Sequence, residues 1–375
     1  MLWLLLACTS SSPDFPPGIL LVTIDTWRAD HYSEDLSPEA WAVGERGLVF
    51  QRAYSPIGLT TPAHASLFTG LQPPSHGVRG NNHHGYQLAE SHTTLAEHLA
   101  AANWATGAFV SAYPAGPAGG LSQGFQVFDG PEAGERTAAE TLEKARMWLT
   151  HQESPWFLWV HVYEPHGPYT PPSSAVRDHD PEGEKGAYAG EVRGVDRVLG
   201  PLYREALASG SWLAITSDHG EVLDEEPCHW QHERSSSDAV LRVPMVLAGP
   251  DIPTGQRDDP VGLMDLFPTV LQLAGVPDPG GHHGSSVLKI SERTTWYGES
   301  GLCETDCSPG CSPSGFLGKD RVRFDSGERT VLRPGTRSST DPAIQALFSD
   351  YPAPTLPEGP RDAEMGEALG YLDPR

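Results

Sequence analysis

The chain has 375 residues, of which 38% are apolar, and its formal net charge is −24. This length suffices for one large α/β domain or two smaller ones, and 40 glycines with 35 prolines indicate many loops. The acidic balance argues against a nucleic-acid partner, because phosphate contacts need clustered Lys and Arg side chains. An acidic protein that handles anionic esters needs local positive charge, and a metal ion is one source of it.

The N-terminal segment, MLWLLLACTSSSPDFPP, is apolar and then rich in Ser and Pro. Residues 5–8 resemble a bacterial lipobox, in which the Cys is lipidated after cleavage, although no basic residue precedes them. This reading predicts an exported protein of the bacterial cell envelope, anchored through Cys8 on the periplasmic or outer-membrane side. An ordinary apolar terminus is the alternative. No later segment has 18 consecutive apolar residues.

Short apolar runs alternate with helical patterns along the chain. The predicted strands are Ile19–Asp25, Ala105–Ala112, Trp156–Val162, Trp212–Asp218 and Val243–Gly249. The predicted helices are Thr93–Ala102, Thr137–His151, Ala189–Ala208 with a break before Pro201, and Asp265–Ala274. Unalternating apolar strands separated by helices predict an α/β fold with a mostly parallel central sheet flanked by helices.

The character of the sequence changes after about Pro279. Segments such as RTTWYGES and VRFDSGERTVLRP, with a final helical stretch near Ala363–Leu369, predict a small antiparallel C-terminal addition. We therefore expect a signal segment and linker at residues 1–17, a catalytic α/β domain at 18–285 and a small α+β subdomain at 286–375.

Four cysteines lie beyond Cys8, and three of them fall in a loop rich in Gly, Pro and Ser. An even number of cysteines is consistent with disulfides in an oxidising compartment, and their spacing is not that of the usual zinc pairs. The pairing stays open, and a zinc site is the competing interpretation. These residues are Cys228, Cys303, Cys307 and Cys311.

The stretch GLTTPAHASLFTG predicts a short helix. Pro62 suits the first helical position, Thr60 or Thr61 suits the N-cap, and Gly70 can end the helix. A threonine at this tip is close to the positive end of the helix dipole.

Polar residues stand at or just past the ends of three predicted strands. Asp25 ends the first, Asp218 ends the fourth and is followed by His219, and His166 lies just past the third. The carboxyl ends of parallel strands are where ligands bind in such sheets. Two carboxylates, one imidazole and the helix-tip Thr60 form a candidate site for a divalent cation, Ca²⁺, Mg²⁺, Mn²⁺ or Zn²⁺.

Six ordered segments resemble the sulfatase family of the alkaline phosphatase superfamily. They cover most of the chain from Gly18 to about Gly284 and read GILLVTIDTWRADH, TTPAHASLFTGLQPPSHGVRGN, FLWVHVYEPHGPYTPP, ITSDHGE, LRVPMVLAGP and GLMDLFPTVLQLAGVPDP. The resemblance implies an alkaline-phosphatase-like fold and a metal held by Asp25, Thr60, Asp218 and His219.

The resemblance also exposes a departure at the nucleophile. Sulfatases carry Cys/Ser-x-Pro-x-Arg, whose first residue becomes formylglycine, and here Thr60, Pro62 and His64 occupy those places. Threonine is not a substrate for that modification. The arrangement is closer to superfamily phosphodiesterases and phosphotransferases, in which a metal activates an unmodified hydroxyl.

Other family cations are replaced as well. The Lys and His that follow the second strand are matched by Ser111 and Tyr113, and a later Lys is matched by His232. His166 keeps the family's Pro-His position, where it binds substrate or protonates the leaving group. The predicted catalytic residues are therefore Thr60, His166, His64 and His232.

We expect a metal-dependent hydrolase of small anionic esters, with phosphodiesters, phosphomonoesters or phosphonates favoured over sulfates. The alternatives are an envelope phosphotransferase and a non-catalytic, lipid-anchored binding protein that keeps the fold. Retention of the metal and nucleophile positions together argues against the binding protein.

Overall fold

A computed structural model describes residues 17–153, 155–178, 180–223, 232–233, 235–290, 295–299, 314–317, 320–325 and 328–331. The lipobox segment with Cys8, the cysteines Cys228, Cys303, Cys307 and Cys311, and the expected C-terminal helical stretch at 363–369 lie outside these residues. The disulfide and lipid-anchor hypotheses therefore stay predictions.

The described strands follow the predicted apolar runs and add several short ones. They are β1 Ile19–Ile24, β2 Leu48–Phe50, β3 Ala53–Tyr54, β4 Ala105–Val110, β5 Val127–Asp129, β6 Trp156–Val162, β7 Trp212–Ser217, β8 Arg242–Val243, β9 Met245–Ala248, β10 Gly255–Arg257, β11 Val261–Gly262, β12 Thr295–Gly298, β13 Ser314–Leu317, β14 Asp320–Asp325 and β15 Glu328–Val331.

The described helices lie mostly between these strands. The α-helices are α1 Pro38–Gly44, α2 Thr60–Thr69, α3 Pro73–His76, α4 Leu95–Ala101, α5 Ala138–Leu149, α6 Glu184–Ala208, α7 Asp238–Leu241 and α8 Leu266–Leu273. The 3-10 turns are Ala29–His31, Asn82–His84, Tyr113–Ala115, Pro117–Gly119, Ser173–Ala175 and Leu263–Asp265. Among the helices of the described residues, none combines the length and apolar composition of a membrane span.

Eight strands form the central sheet in the order β10-β2-β9-β7-β1-β6-β4-β5. All neighbours pair in parallel except β9, which runs antiparallel to β7 and to β2. β1 lies between β6 and β7, and Thr23 on β1 is opposite His161 on one side and Thr216 on the other. The carboxyl ends of these three strands therefore meet at one edge of the sheet, as expected for a ligand site.

Side chains of β1 alternate between two buried faces. Leu21 joins the apolar core that includes residues of α2 and α8, whereas Leu20 and Val22 join the core that includes residues of α5 and α6. Helices thus cover both faces of the sheet, which explains why the strand sequences read as unbroken apolar runs. The prediction of a mostly parallel α/β sheet flanked by helices is confirmed.

Two predicted elements differ in detail. The helix expected to break before Pro201 continues through it as α6, which loses one intrahelical hydrogen bond because Pro has no N–H. The strand expected at Val243–Gly249 is divided at Pro244 into β8 and β9, which belong to different sheets.

The C-terminal addition is a four-stranded antiparallel sheet, β12-β13-β14-β15. Glu299, directly after β12, connects this sheet to the α/β body. Its backbone N–H donates to the Pro56 carbonyl at 2.8 Å, and its carboxylate forms a buried ion pair with Arg79. The antiparallel addition expected from the sequence is thus present in the described residues.

Candidate active site

Two aspartates follow neighbouring strands at the carboxyl edge of the sheet. Asp25 follows β1 and Asp218 follows β7, and both are fully buried. Both oxygens of Asp25 and Oδ2 of Asp218 have no hydrogen-bond partner among the described residues. Buried carboxylate oxygens without a partner are costly, because desolvation is not repaid by any contact. The presence of these oxygens in a buried site indicates that another group binds to them there.

His219 turns one ring nitrogen toward this acidic pair. Its Nδ1 lies 3.0 Å from the Gly220 carbonyl, which can only accept, so the Nδ1 hydrogen donates there. Nε2 then carries a lone pair in the neutral ring and lies 3.6 Å from Oδ2 of Asp218 and 3.7 Å from Oδ1 of Asp25. Asp25, Asp218 and His219 thus gather three ligand atoms within 4.8 Å of one another.

Thr60 is the first residue of α2, with Leu59 as the N-cap. The expected start at Pro62 is wrong by two residues, and no side chain of the cap residue closes the helix end. Oγ1 of Thr60 is buried and has no hydrogen-bond partner within the described part of the chain. The hydroxyl is therefore not used for capping, and it remains available for chemistry.

The first N–H groups of α2 are mostly occupied. The Thr61 N–H donates to Oδ1 of Asn81 at 2.9 Å, the Ala63 N–H donates to the Leu59 carbonyl at 3.1 Å, and Pro62 has none. This helix start therefore does not offer a run of successive N–H groups to an anion. Asn81 instead fixes the first turn that carries Thr60. Gly70 ends the helix in the left-handed conformation, φ 69°, as expected.

The pKa values of the two aspartates are shifted in opposite directions. Burial, together with the charge of Asp218, raises the pKa of Asp25 well above its ordinary value. The nearby Thr60 hydroxyl lowers this pKa by a smaller amount, although it forms no hydrogen bond of normal geometry with the carboxylate. Burial also acts to raise the pKa of Asp218, but the imidazoles of His219, His64 and His161 bring it below its ordinary value. Asp218 is thus stable as an anion, whereas the charged form of Asp25 needs a positive partner.

These residues fit a divalent cation. The candidate ligand set contains three carboxylate oxygens, one hydroxyl and one imidazole lone pair, all buried and all without a hydrogen-bond partner among the described residues. Hard oxygen donors with an imidazole suit Mg²⁺, Ca²⁺, Mn²⁺ and Zn²⁺, and the set does not single out one of them.

His64 lies beneath this site, fully buried. Its Nδ1 is 2.8 Å from the Thr60 carbonyl and 4.0 Å from Oδ2 of Asp218, and its Nε2 is 3.0 Å from Oγ1 of Thr23. Burial, then the neighbouring His161, lowers the pKa of His64 to about 3, so the ring is neutral. These contacts hold Thr60 from below, and the prediction of a catalytic role for His64 stays a prediction.

His166 and His232 stand on the other side of His219. The His219 and His232 rings stack at 4.4 Å between centroids, and His166 meets His232 edge-on at 5.2 Å. Nδ1 of His166 donates to the Gly167 carbonyl at 2.8 Å, and the residue is partly exposed although its Nε2 atom is buried. Burial lowers the pKa of His166 to about 3 and that of His232 to about 4. The structure therefore places both predicted residues beside the candidate metal site, His232 against His219 and His166 against His232.

Glu221 lines the candidate site and was not expected there from the sequence. Its carboxylate is buried and lies 3.2 Å from Nδ1 of His232, and burial raises its pKa. It belongs to the same segment, SDHGE, as Asp218 and His219, two positions after the histidine.

Thr23 was also missed, and no sequence signal points to it because it sits inside an apolar strand. Ser111 has a structural role: its hydroxyl contacts Oγ1 of Thr141 at 2.9 Å and the His161 carbonyl at 3.1 Å.

Comparison with known proteins identifies a family. A family model described as Sulfatase matches residues 17–276. Arylsulfatase K of Danio rerio is 35% identical over 108 residues, 28% of this chain but only 19% of that protein's length. An ulvan-active sulfatase of Formosa agariphila is 24% identical over 333 residues, 73% of this chain and 65% of that protein.

Solved structures share the fold. A phosphonate monoester hydrolase of Agrobacterium radiobacter superposes with a TM-score of 0.70 at 18% identity, over 89% of this chain and 94% of that one. A phosphonate monoester hydrolase from Silicibacter pomeroyi gives a TM-score of 0.68, also at 18% identity, over 89% and 93%.

Proposed function

Because the chain belongs to the sulfatase family, we propose that it is a metal-dependent hydrolase of sulfate or phosphorus esters with Thr60 as the nucleophile. The observation that carries this proposal is the convergence of buried oxygens without a partner, on Asp25, Asp218 and Thr60, with the Nε2 lone pair of His219. These four residues would hold the cation. The catalytic unit at residues 18–285 contains all of them, and 286–375 would form a separate small unit.

A bound divalent cation would lower the pKa of the Thr60 hydroxyl and offset the negative charge of the ester. Thr60 Oγ1 then forms a bond to sulfur or phosphorus while the bond to the leaving oxygen breaks. The Thr60 proton passes to a neutral imidazole of the site wall, His166 or His232, and is returned to the leaving oxygen. Water cleaves the Thr60 ester in the second step and restores the hydroxyl.

Phosphorus esters are the favoured substrates within this proposal. A threonine ester has no geminal hydroxyl, so it cannot be released by the elimination that a formylglycine diol permits. The positions that match sulfatase cations are filled here by His64, Ser111 and His232. Neutral imidazoles and a hydroxyl offer less positive charge than Lys and Arg for a sulfate monoester. The fold neighbours include both phosphonate monoester hydrolases and sulfatases, so the preference rests on the residues of the site.

The test is a substrate screen of the purified, metal-loaded protein. Aryl sulfates, phosphate monoesters, phosphodiesters and phosphonate monoesters are compared for wild type, Thr60→Ala and Thr61→Val. Thr61 is the matched control, because its hydroxyl donates to the Pro114 carbonyl at 2.7 Å and not to the site. We expect Thr60→Ala to lower kcat by several orders of magnitude with the fold intact, and Thr61→Val to keep it. Near-normal turnover by Thr60→Ala, or a wide preference for sulfate esters, would refute the mechanism.

We also propose that the protein is exported and held at the cell envelope by lipid on Cys8. The support is the lipobox-like segment Leu5-Leu6-Ala7-Cys8, followed by Thr9 and not by Asp, which gives no signal for inner-membrane retention. Fractionation of a bacterial host should place the protein with the membranes, and Cys8→Ala should remove it from them. A native protein recovered in the cytoplasm contradicts this localisation.

A further inference from the structure

The Thr23 hydroxyl is the centre of a buried hydrogen-bond network beneath the acidic pair. Oγ1 of Thr23 lies 2.9 Å from Nε1 of Trp159, 3.0 Å from Nε2 of His64 and 3.0 Å from Nδ1 of His161. All four side chains are fully buried. Because water does not reach these side chains, each hydrogen bond of Thr23 must use a hydrogen or a lone pair of the four groups themselves.

A threonine hydroxyl has one hydrogen to donate and two lone pairs that accept. The indole N–H of Trp159 is a donor only, so it takes one lone pair of Thr23. One lone pair and one hydrogen remain for the two imidazoles. One of the two rings, His64 or His161, must therefore donate to Thr23, and the other must accept from it.

The contact between His64 and the Thr60 carbonyl shows which ring donates to Thr23 and which ring accepts from it. Nδ1 of His64 lies 2.8 Å from this carbonyl oxygen, which can only accept, so the hydrogen of the neutral His64 ring is on Nδ1. Nε2 of His64 then accepts the hydrogen of Thr23. The remaining ring, His161, must donate to Thr23 from Nδ1. The single hydrogen of neutral His161 is thereby fixed on Nδ1.

It follows that Nε2 of His161 presents a lone pair, and this atom points at the acidic pair. It lies 3.5 Å from Oδ2 of Asp25, and neither atom has a hydrogen-bond partner among the described residues. His161 and Asp218 also bring ligand atoms within 4.8 Å of each other. Two buried lone pairs facing one another repel unless a cation or a proton lies between them, and the 3.5 Å separation without a hydrogen bond favours the cation.

We propose that His161 is a further ligand of the divalent cation, with its ring oriented by Thr23. The inference rests on the metal site of the proposed function and adds a second imidazole to it. His161 and His219 then use the same arrangement: each donates its Nδ1 hydrogen to the protein and turns Nε2 toward the aspartates. A ligating histidine whose other nitrogen is fixed by a protein group is the usual arrangement around metals.

The same count excludes a second cation at this place. His64, His161 and Asp218 are close enough together to suggest one. His64, however, gives its Nδ1 hydrogen to the Thr60 carbonyl and uses its Nε2 lone pair for Thr23. No lone pair of the neutral ring remains for a metal. The geometry supports one cation with two imidazole ligands and leaves His64 as a positioning residue for Thr60.

The experiment is an electron-spin-echo modulation measurement on the full-length protein loaded with Mn²⁺, which counts directly bonded imidazole nitrogens. Wild type is compared with His161→Asn, whose amide keeps a donor near Thr23 but has no Nε2, and with Thr23→Val. Thr106→Val is the control, because it removes a buried strand hydroxyl that donates to the Gly124 carbonyl at 2.8 Å. Mn²⁺ dissociation constants are measured on the same samples.

We expect two bonded imidazole nitrogens in wild type and in Thr106→Val, and one in His161→Asn. Thr23→Val should weaken Mn²⁺ binding by about 10- to 100-fold, the range for groups that orient a ligand, and His161→Asn should weaken it by at least as much. One bonded imidazole in wild type overturns the inference, even if neither variant folds, and leaves the proposed function standing. Failure of the wild type to bind Mn²⁺ would remove the metal site and this inference together.

Discussion

The Nδ1 atom of His232 lies 3.2 Å from Oε2 of Glu221, and both side chains are buried beside the candidate metal site. Because burial lowers the pKa of His232 to about 4, the ring is neutral at pH 7 and its hydrogen is on the nitrogen that faces the carboxylate. Glu221 thus fixes both the tautomer and the orientation of His232, as a third group does in a catalytic triad.

The first prediction is that Glu221 acts as a positioning residue for His232. Glu221→Ala should lower kcat by about 10- to 100-fold with little change in KM, and Glu221→Gln should recover part of the loss because its amide oxygen still accepts from Nδ1. The kcat and KM values are measured across pH on the best substrate of the screen. Glu205→Gln, a partly exposed residue paired with Arg146, is the control. Equal activity of Glu221→Ala and wild type would contradict the role.

The second prediction concerns metal removal. Chelation should lower the melting temperature of wild type, since a cation at 100 times its dissociation constant stabilises by about 2.7 kcal/mol. Asp218→Asn should abolish this metal-dependent shift. Asp25→Asn without metal should melt higher than metal-free wild type, because burial and the charge of Asp218 raise the pKa of Asp25 and so disfavour its charged form in the fold.

Calorimetry with and without a chelator checks this second prediction. Asp129→Asn is the control, because Asp129 is a partly exposed carboxylate paired with Arg136 and Lys144. An undiminished metal-dependent shift in Asp218→Asn would show that the cation, if it binds, is held elsewhere.

The sequence predicted the sheet and the main ligands because their signals are local. β6 has the predicted bounds, and the other buried strands differ from their predicted bounds mainly at the ends. Apolar composition does not determine which terminal residues join the hydrogen-bonded ladder. Asp25 and Asp218 were recognisable as polar residues directly after such strands. β9 was expected to be a strand, but its antiparallel direction depends on partners far along the chain, which composition does not report.

The network below the ligands could not be predicted from residue types alone. Thr23 sits in an apolar strand, and its importance comes from the register that sets it opposite His161, together with the approach of His64 from α2. Likewise, Pro62 suggested the first helical position, yet the Asn81 side chain supports a start at Thr60 by accepting from the Thr61 N–H. Both features depend on residues brought together from different elements of the fold.

The third prediction concerns pH and the loop that follows His166. Oε1 of Glu191 on α6 accepts from the Thr170 N–H at 2.8 Å. Burial, with smaller contributions from the charges of Glu164 and Glu135, raises the pKa of Glu191 to about 7. The folded state therefore binds this proton more tightly than the unfolded chain, whose Glu pKa is about 4.3. The stability from this group is full below about pH 4 and is lost as pH rises to about 7.

Glu191→Gln keeps the acceptor for Thr170 and removes the titration. We expect the melting temperature of Glu191→Gln minus that of wild type to increase between about pH 5 and pH 8. Thermal unfolding at several pH values measures this difference, and Glu205→Gln on the same helix controls for the loss of a surface charge. A difference that is constant with pH, or that decreases as pH rises, would show that Glu191 is not held as a neutral group.

The fourth prediction concerns the ion pair between the α/β body and the C-terminal sheet. Nε of Arg79 donates to Oε1 of Glu299 at 2.8 Å, and a second hydrogen bond joins the same two groups, with both side chains largely buried. Two residues after Arg79, Asn81 accepts from the Thr61 N–H, so this pair lies close in sequence to the support of the nucleophile.

Glu299→Leu should cost about 3–5 kcal/mol of unfolding free energy, because it leaves a buried cation without its carboxylate. The double variant Arg79→Met, Glu299→Leu should regain much of that loss, since replacing a whole buried pair by apolar groups is often close to neutral. Denaturant unfolding of wild type, both single variants and the double variant gives the coupling energy. A coupling energy near zero would mean that the two charges do not depend on each other for their burial.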